Sequence, residues 1–167
     1  MLSFVTGPSK SGKTTRLLQL VEQLQAEGVS VAGVISPAVF ENGQKTGIDV
    51  LLLPTRKQLP LARPSTKEES QWKIKRSFDP QVVRAVNEHF DSLQAELLII
   101  DELGPVEFSD RGGFVSAMRI LDEGAYKDAI VVIRPSLLDE ATKRWSPDRI
   151  MDLGTQGDGG FVSVPKQ

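Results

Sequence analysis

The chain has 167 residues, 40% hydrophobic and 25% charged, with a net charge of −2. That is the size and balance of one ordinary globular domain spanning 1–167; it argues against disorder and against general polyanion binding, so any phosphate recognition must come from a local site. The absence of cysteine excludes disulfides, cysteine-ligated zinc and thiol catalysis, and a lone histidine, His89, argues against a His-rich metal site or a Ser-His-Asp hydrolase.

Leu2–Thr6 is a short apolar run ending at Gly7, which predicts a buried strand. Lys13–Glu27 carries Leu17, Val21 and Leu24 at helical spacing and stops at Gly28. Val29–Ile35 is rich in β-branched residues and bounded by Ser36-Pro37, a second strand. Strand, helix and strand in that order make the βαβ unit of a parallel sheet. Ala38–Phe40 and Ile48–Leu53 flank Asn42-Gly43, the dipeptide of a hairpin turn, in a connection of two residues or more. Pro54–Ser70, with three prolines and many charges, reads as a loop, and Trp72–Ser77 as a short edge strand. Asp79 is placed as an N-cap with Pro80 at the first position of a helix whose apolar face is Val82, Val83, Val86, Phe90 and Leu93. His89 falls off that face and reads as solvated. Leu97–Ile100 is a wholly apolar strand running into Asp101-Glu102. Phe114, Met118 and Leu121 mark a further helix, Ala129–Ile133 a buried strand, Leu137–Arg144 a helix, Arg149–Leu153 a last parallel strand, and Gly157–Val164 an edge strand.

The chemistry concentrates at Gly7-Pro8-Ser9-Lys10-Ser11-Gly12-Lys13-Thr14, which satisfies G-x-x-x-x-G-K-[ST] at every fixed position, between a predicted strand and a predicted helix. In such a P-loop the glycines let the backbone wrap a phosphate, successive N–H groups point inward, and the helix N-terminus adds positive potential. Lys13 is expected to reach the β- and γ-phosphates and Thr14 to offer its hydroxyl to Mg²⁺. Thr15 is a weaker candidate for an α-phosphate contact, and the side chains of Lys10 and Ser11 are expected in solvent. Asp101, at the C-terminal end of its strand where open α/β sheets bind ligands, is the expected Mg²⁺ carboxylate. Glu102 beside it is the first candidate to polarise an attacking water; Glu107 is the second, or a plain loop residue. Acid pairs of this kind occur in the P-loop branch that inserts an extra strand beside the P-loop strand. Here that strand would be Ala129–Ile133, and Arg134 at its end is either a γ-phosphate sensor or a surface arginine in an ion pair.

With these residues in view the chain resembles the THEP-type NTPases, a family of small nucleoside-triphosphatases. The carriers are Gly7–Thr15, Gly33-Val34-Ile35-Ser36-Pro37, Gly47-Ile48-Asp49-Val50, Leu59-Pro60-Leu61-Ala62-Arg63 and Asp101-Glu102-Leu103-Gly104-Pro105-Val106-Glu107. The resemblance implies an α/β, three-layer P-loop NTPase fold: a mostly parallel central sheet with an added β-hairpin and helices on both faces. It also implies Mg²⁺-dependent hydrolysis of a nucleoside triphosphate, ATP or GTP, with broad base tolerance. Ile48 and Val106 replace an expected Phe and Met. Arg63 either reaches the phosphates or pairs with a surface acid.

Two other functions are compatible with the same loop. A nucleoside or nucleotide kinase would need an acceptor pocket and an arginine-bearing lid; Lys73, Lys75 and Arg76 alternate with Trp72, Ile74 and Ser77 as on an edge strand instead. A nucleotide-gated binding module with slow hydrolysis would need a protein partner, which the sequence leaves unspecified. Trp72 and Trp145 are expected to pack at domain edges rather than stack on a base. No run approaches 18 apolar residues and no basic-then-apolar leader opens the chain, so the expectation is a cytoplasmic protein with neither a membrane nor a nucleic-acid partner.

Overall fold

In a computed structural model of the chain, residues 1–63, 78–109, 112–154 and 162–163 are described. The strands are β1 (Leu2–Thr6), β2 (Val31–Ile35), β3 (Ala38–Glu41), β4 (Gln44–Leu53), β5 (Lys57–Ala62), β6 (Leu97–Leu103), β7 (Asp128–Ile133), β8 (Arg149–Asp152) and β9 (Val162–Ser163). The helices are α1 (Lys13–Ala26), α2 (Pro80–Asp91), α3 (Pro105–Phe108), α4 (Val115–Glu123) and α5 (Leu138–Trp145). The sheet runs β3-β4-β2-β6-β7-β1-β8-β9, with β5 on β4. β2, β6, β7, β1 and β8 are parallel, and β3, β4, β5 and β9 pair antiparallel. As expected for an inserted strand, β7 lies between β1 and β6.

Alternation along the strands sorts the core into two faces. Phe4, Val34, Leu98, Ile100, Val131 and Ile133 pack with Val82, Val86 and Phe90 of α2 and with Met118 and Leu121 of α4. Val5, Val31, Ile35, Ile99 and Val132 pack with Leu17 and Val21 of α1 on the other. Each such side chain stabilises by about 1.5–3 kcal/mol when fully buried, which is why period-2 strands and period-3.6 helices meet on these faces and nowhere else. Gly33 is required where β2 meets β6: its φ is +126°, and a Cβ there would overlap the Ile99 carbonyl oxygen and sit 2.8 Å from the Ile99 nitrogen.

Asn42 and Gly43, with φ of 50° and 77°, form the two-residue hairpin turn between β3 and β4. Asp79 caps α2, its carboxylate accepting from the amides of Gln81 (2.8 Å) and Val82 (3.4 Å), with Pro80 following. Two expectations are corrected. The segment read as a loop from Pro54 contains β5, whose Pro60 is tolerated because β5, among the described residues, is an edge strand paired to β4; the pairing partner, which local composition does not reveal, made this segment a strand. His89 is half-buried rather than solvated: its Nε2 lies 3.2 Å from the Gly33 carbonyl in the middle of β2 and 3.0 Å from the Leu53 carbonyl at the end of β4. The expected strand Trp72–Ser77 lies outside the described residues, as do residues 64–70; of the expected tail strand, Val162–Ser163 pairs with β8. Among the described residues no helix is long and apolar enough to cross a membrane.

Candidate active site

β1 delivers the chain to Gly7 at the C-terminal edge of the sheet, and three positive φ values bend it back toward α1: Gly7 at 146°, Lys10 at 66° and Gly12 at 82°. Gly12 is the N-cap of α1 and makes no side-chain cap, so no side chain of the cap satisfies the first amides of the helix. Unsatisfied N–H groups at a helix N-terminus, aided by the helix dipole, make an anion site. Lys13 folds back across the loop and donates from Nζ to the carbonyls of Gly7 (2.8 Å) and Pro8 (2.7 Å) and to Ser11 Oγ (3.4 Å). The ammonium is thus already held within the concavity of the loop. Pro8, Ser9, Lys10 and Thr15 are exposed, and Ser11 is half-buried; its amide donates to the Pro8 carbonyl at 3.2 Å.

The two acids are placed by a break in strand regularity. β6 and β7 run in register through Ile100↔Val131 and resume at Leu103↔Ile133. Asp101 and Glu102 therefore oppose Val132 alone, which is a β-bulge. Asp101 keeps the phase of Ile99 and turns to the α1 face, where its Oδ2 accepts from Thr14 Oγ1 at 3.0 Å and from the Ser36 amide at 3.0 Å. Glu102 takes the extra position, with φ of 66°, and its carboxylate pairs with Arg134 Nε. Leu103 returns to the core face of Ile100. Asp101 is 3% exposed. Burial, partly offset by the Ser36 and Thr14 hydrogen bonds, pushes its carboxyl up to about 6.

That combination fits Mg²⁺. A hydroxyl and a buried carboxylate stand side by side, and the raised pKa marks a negative charge short of compensation. Mg²⁺ takes few protein ligands and keeps most of its waters, so Thr14 and Asp101 are a sufficient protein set.

Glu107 is placed differently from Glu102. It is buried, and its two oxygens accept from the amides of Gly104 (2.9 Å) and Phe114 (3.1 Å), tying the start of α3 to the start of α4. Arg63 pairs with Asp49, a buried acid on β4, and donates to the carbonyls of Ile48 and Ala62. Trp145 packs against Phe4 and Phe108 and donates to Asp122 at 2.8 Å, as expected of a packing residue. Sequence reasoning missed Ser36. Its position at the end of a strand next to β6 was readable, but its amide contact depends on the sheet order.

The phosphate loop, Glu102, Glu107 and Arg134 line one cleft of about 1640 Å³, together with residues of the β3–β4 hairpin. A sequence profile for the family described as NTPase matches residues 3–152. The chain belongs to this NTPase family. Among its relatives, the nucleoside-triphosphatase THEP1 of Sulfurisphaera tokodaii is 30% identical over 64% of this chain and 62% of that one. The THEP1 of Methanocaldococcus jannaschii is 31% identical over 66% of each. The THEP1 of Hyperthermus butylicus is 31% identical over 81% of this chain and 72% of its own. The chain thus spans 62–66% of the length of the first two relatives. The solution structure of a human cancer-related nucleoside triphosphatase superposes with a TM-score of 0.64 over 93% of this chain and 89% of that one; at 19% identity the likeness concerns the fold. The three-layer P-loop architecture expected for the family is the one this chain has.

Proposed function

We propose that this chain hydrolyses a Mg²⁺-bound nucleoside triphosphate, ATP or GTP, to the diphosphate and phosphate. One observation carries the reading: the Thr14 hydroxyl and the buried Asp101 carboxylate meet at 3.0 Å beside Lys13, while Glu102 stands on the adjoining bulge in the same cleft. The names of the THEP1 relatives support it.

Residue by residue, the backbone N–H groups from Ser9 to Thr14, in the turn that Pro8 opens and with Thr15 behind them, cradle the phosphates. Lys13 exchanges the Gly7 and Pro8 carbonyls for β- and γ-phosphate oxygens, a short swing because Nζ already lies in the loop. Thr14 and Asp101 would hold Mg²⁺, which when bound supplies positive charge against the phosphate oxygens. Glu102 accepts a proton from, and orients, the water that attacks the γ-phosphate; its 41% exposed carboxylate is open to water. Glu107, with both oxygens taken by amides, is better suited to anchoring α3 than to holding water. Lys13 and Arg134 supply fixed positive charge as negative charge spreads onto the phosphate oxygens.

The cleft is larger than the roughly 300–1,000 Å³ of an ordinary ligand pocket, and it is lined by exposed Phe40 of the hairpin and Val106 of α3. That room favours, as a second reading, phosphoryl transfer to an acceptor. The deciding experiment is phosphate release from ATP and GTP with Mg²⁺ and no acceptor, for the parent and Glu102→Gln. The hydrolase reading expects Mg²⁺-dependent release that drops about a hundredfold in the variant, within the general-base range of about 10²–10⁴, with nucleotide binding retained. Tight nucleotide binding without release by either protein would sink it and favour the acceptor reading.

A further inference from the structure

The pairing of Glu102 with Arg134 sets a problem for the proposed base: in the nucleotide-free protein the carboxylate is already engaged. The pair is a consequence of chain geometry. The bulge lifts Glu102 out of the strand alternation into a left-handed conformation, and the neighbouring strand β7 ends one residue before Arg134. Arg134 precedes Pro135 and so keeps an extended backbone, with φ −65° and ψ 144°. Both backbones are therefore constrained, and the pair opens by movement of its side chains.

Arg134 uses Nε for Glu102, and among the described residues neither of its terminal nitrogens makes a hydrogen bond or ion pair with a protein group. The two side chains are 28% and 41% exposed, and both line the cleft that holds the phosphate loop. A solvated one-to-one pair of this kind is weakly held. A terminal phosphate, carrying more charge and presenting oxygens that match the guanidinium fork, competes for the same donors with stronger charge-assisted hydrogen bonds.

We propose that Arg134 and Glu102 form a latch that senses the terminal phosphate: Arg134 restrains Glu102 until a triphosphate binds, then exchanges the carboxylate for the γ-phosphate and frees Glu102 for water. The inference rests on Glu102 as the base and adds to it a condition for its release. A diphosphate offers no phosphate at that position, so it leaves the pair closed. Arg134 is in this sense a positioning residue for Glu102 before it becomes a ligand of the γ-phosphate. The strained φ of Glu102 fits the role, since a left-handed glutamate persists only where the surroundings impose it.

The test compares two complexes and one ratio. Crystal structures are determined with Mg²⁺ and β,γ-imido-ATP, and with Mg²⁺ and ADP. The latch requires Arg134 on the terminal phosphate and away from Glu102 in the first, and the Arg134–Glu102 pair intact in the second. The pair intact in both complexes, or broken in both, overturns it. In solution, the affinities of β,γ-imido-ATP and ADP are measured by calorimetry for the parent and Arg134→Ala. The expected result is a loss of about tenfold in the preference for the triphosphate, with ADP affinity little changed; an unchanged preference overturns the latch. Phosphate release by the parent and Glu102→Gln, measured alongside, separates the two claims. If release depends on Glu102 while the pair persists with the triphosphate, the hydrolase reading stands and the latch falls.

Discussion

Replacing Asp101 by Asn should stabilise the nucleotide-free protein while removing its response to Mg²⁺. Burial dominates the environment of Asp101 and lifts its pKa from 3.8 to about 6 against the opposing hydrogen bonds from Ser36 and Thr14. In the unfolded chain the carboxyl ionises first, so the folded state holds the proton more tightly, and stability falls as pH rises from about 4 through about 6. Above that range the full penalty applies. A shift of roughly two units at about 1.4 kcal/mol each is a penalty of about 3 kcal/mol. Asn carries no charge to bury, and its carbonyl oxygen can still accept from the Thr14 hydroxyl and the Ser36 amide. In EDTA at pH 7.5, Asp101→Asn should therefore gain up to about 3 kcal/mol, or about 6–12 °C in Tm at about 2–4 °C per kcal/mol for a domain of this size. The gain should shrink to a small fraction by pH 4, where the folded parent is protonated and the unfolded chain only about half so, and vanish below about pH 3, where both states hold the proton. Mg²⁺ with ATP should raise the Tm of the parent more than that of the variant. Thermal unfolding followed by circular dichroism across pH 4–8 reads all of this. A variant no more stable than the parent at pH 7.5, or equally favoured at pH 4, would refute the account of Asp101 as a buried charge awaiting a cation.

Gly33→Ala places a Cβ on the Ile99 backbone at a φ of +126°. It should cost about 3 kcal/mol or more through overpacking and backbone strain, and a Tm within two degrees of the parent would show that β2 and β6 are not so closely spaced. Glu107→Gln presents an amide donor where a carboxylate oxygen accepted from Gly104 or Phe114, and should cost about 1–3 kcal/mol. Phosphate release per folded molecule, measured well below the Tm, should stay within a few-fold of the parent. A hundredfold loss of release at an unchanged Tm would instead make Glu107, not Glu102, the base.

Much of this site was legible because its parts are local. Gly7–Thr14 announces itself through residue types whose backbone and charge requirements lie within eight positions, and Leu97–Ile100 is too apolar and too short to be anything but an internal strand ending in acids. Asn42-Gly43 fixed a hairpin because its two positive φ values are cheap only for such residues. The expectations that failed depended on distant partners. Lys57–Ala62 looks like a proline-marked loop until β4 supplies the missing pairing. His89 looks solvated on a helical wheel, and becomes half-buried because the carbonyls of Gly33 and Leu53 reach it from two other strands.

The division of labour between Asp101 and Glu102 belongs to neither class, because it follows from a conflict within the strand itself. In a regular β6, residues would alternate so that Asp101 shared a face with Ile99 and Leu103, and Glu102 shared the opposite face with Leu98 and Ile100. Glu102 would then project its charge toward the α2–α4 core, while Leu103 would point toward α1 beside the phosphate loop. Both placements cost burial energy in the wrong direction. Adding one residue to β6 resolves them together: Leu103 regains the core with Ile133, Asp101 keeps the α1 face and meets Thr14, and Glu102 is expelled into the cleft beside Arg134. The left-handed backbone at Glu102, about 1–3 kcal/mol of strain, is offset by returning Leu103 to the core at about 1.5–3 kcal/mol. The same bulge that satisfies the hydrophobic core thus separates the acid proposed to hold Mg²⁺ from the one proposed to hold water, and it does so from two adjacent residues of one strand.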